Sequence, residues 1–98
     1  NENKLIPNKM ALLPAYPNPF NPTTTIRFNI PLESSASQLM SLQIFDITGR
    51  VVKTLVDDFV QPGAHETQWD ASDQASGVYF VWLESGTVVQ TQKIVLVK

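Results

Sequence analysis

An antiparallel β-sandwich of about seven strands is the fold that this sequence predicts, and three observations support this all-β interpretation. Apolar and polar residues alternate in several separate segments, which is the period of a strand with one buried face. No window carries the apolar spacing of an amphipathic helix. Stretches containing proline, glycine and serine separate the alternating segments. With 98 residues and no cysteine, the chain is predicted to be one domain held by its core and not by disulfides.

Residues 1–22 predict an extended entry to the domain, because they contain five of the seven prolines. Proline fixes φ and lacks the N–H that a central strand needs, so this stretch is predicted to be an edge strand or a linker. We assign residues 1–13 to the linker or extended entry and residues 14–98 to the folded domain. The first residue is Asn1 and no signal peptide is recognisable after it, so we expect a piece of a longer protein.

The next segments predict three strands and one defined turn. Residues 23–30 alternate cleanly, and residues 31–38 form a polar loop that contains serines. Residues 39–56 predict a β-hairpin that turns between Asp46 and Gly49. An aspartate at the start of a turn accepts hydrogen bonds from the following backbone, and glycine supplies the positive φ.

A fourth strand is predicted between two loops. His65, Thr67 and Trp69 alternate with polar neighbours, whereas residues 57–63 and 70–77 contain the residue types that favour turns. Both of these polar stretches are therefore predicted to be loops.

The clearest strand pair is formed by residues 78–84 and 87–97, with Ser85-Gly86 between them. A two-residue turn there sets Trp82 beside Val89 and Phe80 beside Thr91, but one residue of slip reverses which partners share a face, so the sequence alone does not fix the register. Both faces of the first strand are apolar, so alternation alone does not select the buried face. Six or seven short strands separated by proline, glycine and serine, with no helix between them, indicate an immunoglobulin-like sandwich. The missing Cys…Trp…Cys spacing excludes an antibody-type domain.

Charge and hydropathy exclude two classes of partner. The formal net charge is −2, and the basic residues follow no stripe that could track phosphates, so we expect no nucleic acid. The longest apolar run, Val78 to Leu83, is far shorter than the ~20 residues that span a bilayer, so we expect no membrane span.

No constellation of residues predicts catalysis or a bound cofactor, and we expect the protein not to be an enzyme. A nucleophile motif and a phosphate-binding glycine loop are both absent from the sequence. The single histidine, His65, has no second histidine with which to share a metal, so a structural or surface role is favoured. A weak calcium site at Asp57-Asp58 or at Asp70 and Asp73 remains an alternative to solvated turns, which we favour.

Phe80 and Trp82 form a candidate aromatic binding face if Tyr79, Val81 and Leu83 point into the core. Exposed aromatic stripes stack on sugar rings or anchor partner proteins. Cross-strand packing beneath a neighbouring strand or loop explains the same residues and is the favoured interpretation.

Six motifs in one order resemble those of a known family. They are Tyr16-Pro17-Asn18-Pro19-Phe20-Asn21-Pro22-Thr23-Thr24 with Ile26 and Phe28, the hairpin from Leu42 to Leu55 with Asp46, Gly49 and Arg50, Gly63-x-His65, Trp69-Asp70, Ser76-Gly77-Val78-Tyr79-Phe80, and Lys93-Ile94-Val95-Leu96-Val97-Lys98. Together they resemble the type A C-terminal sorting domain of the type IX secretion system, a relative of the immunoglobulin-like domain of flagellar hook-capping proteins. The resemblance covers residues 14–98.

The resemblance implies a non-catalytic module that directs an upstream cargo of the same chain through the type IX translocon. The implied partners are that translocon and its sorting peptidase, and the implied route runs through the periplasm to the cell surface or the extracellular space. Gly77 and Tyr79 match the family's G-x-Y strand, and Lys93 and Lys98 match its basic terminal strand. These four residues are the candidate site of translocon recognition. The resemblance also places Tyr79, Val81 and Leu83 inward.

Two other functions compete with sorting. One is an accessory carbohydrate-binding module of a secreted enzyme, which would use Trp82, Phe80 or Trp69. The other is a structural domain of the flagellar hook-cap type.

Overall fold

The computed structural model describes residues 10–31 and 38–98 of the chain, without the side chain of Gln38. Within them it has seven strands: β1 (Ala11–Leu12), β2 (Thr23–Ile30), β3 (Gln38–Asp46), β4 (Val51–Val60), β5 (Gly63–Asp70), β6 (Gly77–Ser85) and β7 (Val88–Leu96). Residues 1–9 and 32–37 lie outside the described part, and with them most of the predicted linker and of the loop after β2.

The strands form two sheets, one with the order β1-β2-β5 and one with the order β4-β3-β6-β7. Every pair of neighbouring strands is antiparallel. The chain crosses between the sheets after β2, after β4 and after β5. The predicted immunoglobulin-like β-sandwich is therefore confirmed.

The core lies between the sheets and is built from alternate residues of the long strands. Its fully buried members include Ile26, Leu42, Ile44, Val81 and Ile94. Tyr79, Val81 and Leu83 are all buried, so the inward placement of these residues is confirmed. Trp69 fills one end of the core, with its ring centroid 5.6 Å from that of Phe20 and 5.3 Å from that of Tyr79.

The predicted hairpin of residues 39–56 is confirmed, and so is its turn. The Asp46 carboxylate accepts hydrogen bonds from the Thr48 amide at 2.9 Å, the Thr48 hydroxyl at 2.6 Å and the Arg50 amide at 3.1 Å. These bonds, above all the one from the Thr48 hydroxyl, lower the pKa of Asp46 to about 2. Gly49 has a φ of 90°, as the turn requires.

The predicted loop of residues 57–63 is wrong, because β4 continues to Val60 and β5 begins at Gly63. Asp57 and Asp58 pair with residues of β3 in the ladder. Since β4 is an edge strand, its charged side chains remain in solvent while the backbone stays paired on one side.

The structure fixes the register of the last hairpin, which the sequence left open, and it differs by two residues from the pairing that a turn at Ser85-Gly86 would set. The observed pairs are Trp82 with Thr91 and Phe80 with Lys93. The turn residues are Gly86 and Thr87, between the paired Ser85 and Val88. A shift of two residues keeps each side chain on its face, so the two registers place the same residues inward.

Two glutamines of β7 join the four-stranded sheet to the entry segment. Each carboxamide uses both its oxygen and its nitrogen on the entry backbone: Gln90 accepts from Leu12 N at 2.6 Å and donates to Met10 O at 2.8 Å, and Gln92 accepts from Ala15 N at 2.8 Å and donates to Leu13 O at 2.6 Å. Ala11 and Leu12 also pair with β2, which confirms the edge-strand alternative for this stretch. The domain boundary before residue 14 stays a prediction.

Candidate functional site

Three of the residues predicted for recognition lie in the paired strands β6 and β7, and Lys98 follows the end of β7. Gly77 pairs with Leu96, and Phe80 pairs with Lys93 on the outer face of the sheet. Lys93 and Lys98 are exposed, whereas Tyr79 is only 6% exposed. A partner of the folded domain can therefore contact the two lysine side chains but not the tyrosine ring.

Tyr79 shapes the loop before β6 and does not present a surface. Its hydroxyl donates to the Ala75 carbonyl oxygen at 2.7 Å, and its ring packs edge-on against Trp69. A tyrosine near the start of this strand that bonds to the backbone a few residues upstream is the tyrosine corner of immunoglobulin-like sandwiches. Gly77 has a φ of 150°, and a Cβ added to it would meet no heavy atom within 4 Å, so conformation and not space favours glycine there.

Lys98 is attached to the loop that Tyr79 shapes. Its Nζ donates to the Ser72 carbonyl oxygen at 2.7 Å, and its amide donates to the Ser76 hydroxyl at 3.0 Å. Gly77, Tyr79 and Lys98 therefore belong to one corner of the sandwich. Lys93 lies within β7, where it pairs with Phe80, and its side chain is on the outer face of the sheet.

We call residues 16–22 the strap, because this segment bonds to the outer edge of β7 through Asn18 and Phe20. Phe20 is 2% exposed and forms a parallel bridge with Leu96. Sequence reasoning used the strap's motif for the resemblance but missed its contact with β7. No local signal could have found that contact, because its partners are more than 70 residues apart in the chain.

A second candidate surface, the aromatic groove, lies on the outer face of the four-stranded sheet. It has a volume of about 440 Å³ and is lined by Phe45, Asp46, Ile47, Gly49, Phe80, Trp82 and Thr91. Phe80 is 38% exposed and Ile47 is 73% exposed. The Trp82 indole donates to the Glu84 carboxylate at 3.0 Å and meets Phe45 edge-on at 5.8 Å, so its ring is held in place. Sequence reasoning found Phe80 and Trp82 and missed Phe45.

The other polar candidates have structural partners. His65 Nε2 donates to the Gln61 carbonyl oxygen at 2.7 Å, and its ring stacks on Phe28. Asp70 accepts from the Ser72 amide at 2.9 Å, and bonds from Ser72 lower the pKa of its carboxyl. Among residues 10–31 and 38–98, no three histidine or acidic side chains are grouped to hold a metal ion. Trp69 is buried in the core, so it offers no face to a sugar in the folded domain.

Residues 14–98 match the family model of the secretion system C-terminal sorting domain. No curated protein and no solved structure matches the chain. In the described part of the chain, no helix has the length and apolar character needed to cross a membrane.

Proposed function

Because the chain belongs to the family of secretion system C-terminal sorting domains, we propose that it directs an upstream cargo of the same polypeptide through the type IX translocon. The family match over residues 14–98 carries this proposal. The domain is a non-catalytic sorting and anchoring module, and its partners are the translocon and the sorting peptidase. The cargo passes through the periplasm and ends at the cell surface or outside the cell.

The recognition surface that we propose is the exposed side of the β6–β7 pair. Lys93 and Lys98 supply two cations there, on a chain whose net charge is −2. Gly77 and Tyr79 act indirectly: Gly77 supplies the positive φ at the start of β6, and the Tyr79 hydroxyl bonds to the Ala75 carbonyl oxygen of the loop to which Lys98 binds. An acidic surface on the translocon fits this arrangement, since opposite charges favour encounter and orientation.

The test uses the full chain fused to a reporter cargo. Lys93→Gln combined with Lys98→Gln removes both charges and leaves the apolar strand intact. We expect the reporter to remain in the periplasm, whereas the unmodified fusion becomes accessible to protease at the cell surface.

Two controls separate recognition from stability. Lys53→Gln removes another exposed lysine, from β4 at the opposite edge of the sheet, and should leave export unchanged. Lys98→Arg keeps the charge and a donor for the Ser72 carbonyl oxygen. Normal surface display of the doubly substituted fusion would remove Lys93 and Lys98 from the recognition surface.

Carbohydrate binding is a second candidate function, and the aromatic groove is the observation that favours it. The Trp82 ring is fixed by Glu84 and Phe45 beside an open apolar surface, as a stacking platform for a sugar ring requires. Titration with soluble polysaccharides distinguishes the two functions. Saturable binding of a polysaccharide that Trp82→Ala abolishes would support the carbohydrate-binding function. Absence of such binding would leave sorting as the function.

A further inference from the structure

The edge of β7 has the features of a strand that pairs readily with another chain. Its ladder with β6 runs through nine consecutive pairs without a register shift. Residues 94–97 are uncharged and β-branched or leucine, and Val97 is 50% exposed. An edge that is regular, apolar and free of proline is a template for strand addition unless something covers it.

The strap covers this edge with four hydrogen bonds. The Asn18 carboxamide donates to the Lys93 carbonyl oxygen at 3.0 Å and accepts from the Val95 amide at 3.0 Å. The Phe20 amide donates to the Val95 carbonyl oxygen at 2.9 Å, and the Phe20 carbonyl oxygen accepts from the Val97 amide at 2.9 Å. The edge groups of β7 between Lys93 and Val97 are therefore paired as they would be in a sheet.

The strap cannot itself pair with a further strand in a regular ladder. Pro17, Pro19 and Pro22 have no N–H, so the strap lacks donors for a regular strand along its other side. The side chain of Asn18 takes the place of a backbone amide between two of these prolines. The strap is fixed at one end by the buried Phe20 ring and at the other by the backbone pair of Tyr16 with Thr25.

The opposite edge of the same sheet is protected in another way. The ladder between β3 and β4 has two register shifts, and exposed Lys53, Asp57 and Asp58 lie along β4. Irregular pairing and charge both discourage edge-to-edge association. Between residues 94 and 97, β7 has neither a register shift nor a charged side chain. The strap is therefore what distinguishes this edge from an open one.

From this arrangement we propose that the strap is an edge guard, which keeps the chain monomeric by occupying the β7 groups that would otherwise pair with β7 of a second copy. This role goes beyond sorting and does not depend on it. It assigns Asn18 as the residue that closes the edge where proline leaves the backbone without a donor.

The first experiment opens the guard in the full chain. Asn18→Ala removes two of the four bonds to β7, and Asn21→Ala is the matched control, because Asn21 is an exposed asparagine of the same strap. We expect the Val95 amide to exchange its hydrogen at least about tenfold faster in Asn18→Ala than in the parent chain. Sedimentation velocity should show a concentration-dependent dimer for Asn18→Ala, whereas the parent and Asn21→Ala sediment as monomers.

A second variant opens the strap more strongly, and peptides identify what the open edge binds. Phe20→Ala removes the ring that packs against Trp69, and circular dichroism reports whether the β-sandwich stays folded. A labelled peptide of residues 91–98 should bind Asn18→Ala and not the parent chain. An excess of a peptide of residues 14–24 should return Asn18→Ala to the monomer.

Three results would overturn the guard. The first is an unchanged exchange rate at Val95, which would show that the Asn18 bonds do not hold the edge. The second is faster exchange in a variant that remains monomeric at every concentration. The third is equal binding of a scrambled version of the 91–98 peptide, which would indicate a non-specific apolar surface and not a second copy.

Discussion

Replacing Gln92 with leucine should destabilise the domain far more than the same substitution at a glutamine without hydrogen bonds to the protein. The Gln92 carboxamide joins the Ala15 amide and the Leu13 carbonyl oxygen at 2.8 and 2.6 Å. Leucine has a similar volume and a comparable preference for strands, so the substitution mainly removes these two bonds.

The magnitude follows from the two backbone groups that lose their partner. A buried polar group left without a hydrogen bond costs about 1–3 kcal/mol. Both groups are partly buried, so the low end applies and the loss is about 2–3 kcal/mol. A domain of this size is stable by roughly 5–15 kcal/mol, and the melting temperature should fall on the order of 10–20 °C.

Chemical denaturation followed by tryptophan fluorescence measures the change, with the slope of the transition expected to stay constant. The matched control is Gln68→Leu, the same substitution at an exposed position of β5, which should shift the free energy of unfolding by less than about 0.5 kcal/mol. If Gln92→Leu and Gln68→Leu have the same midpoint, the glutamine bonds do not hold the entry segment to β7.

Three further outcomes test the turn and the core. Gly49→Val should lower the free energy of unfolding by about 1–3 kcal/mol, because a φ of 90° strains a β-branched residue even in open space; the denaturant midpoint measures it. Val81→Asp should unfold the domain by placing a charge in the core, whereas Trp82→Ser should leave it folded by circular dichroism. Asp46 has a folded pKa of about 2 against 3.8 unperturbed, so its charged form stabilises the fold above pH 3.8 and loses that effect as the pH falls through about 2. The stability difference between the parent and Asp46→Asn should therefore be full at neutral pH and vanish in strong acid, with the carboxyl titration followed by NMR.

Local pattern predicted the strands because burial on one face imposes a period of two, as β2 shows with four buried residues in alternation. The same rule could not orient β6, since both of its faces are apolar, and the inward placement came from the family resemblance. The register of the last hairpin depends on whether Gly86 is the first or the second turn residue, and composition does not distinguish the two. The loop predicted at Asp57 and Asp58 was wrong because their residue types favour turns. An edge strand, which is paired on one side only, tolerates such charged side chains in solvent.

In the candidate site, the sequence predicts which charged side chains are exposed, but not which polar side chains bond to distant backbone. Lys93 and Lys98 are exposed, and that much follows from charge. The contacts of Asn18, Gln90 and Gln92 are carboxamide bonds to backbone 75 or more residues away, which leave no trace in neighbouring sequence. Polar residues in alternating strands are ordinarily assigned to solvent, and here two of them, Gln90 and Gln92, bond the four-stranded sheet to the entry segment.

Deleting residues 93–98 is consequently a poor test of sorting, however directly it removes the terminal strand. Such a deletion takes the buried Ile94 and Leu96 out of the core and also removes the groups to which Asn18 and Phe20 are bonded. Failure of export would then follow from unfolding or from an unpaired strap as readily as from lost recognition. Substituting Lys93 changes a charge on the outer face and leaves the strap, the tyrosine corner and both glutamine bonds in place. A test that separates recognition from folding therefore needs exposed side chains such as that of Lys93, because Tyr79, Ile94 and Leu96 are buried in the core.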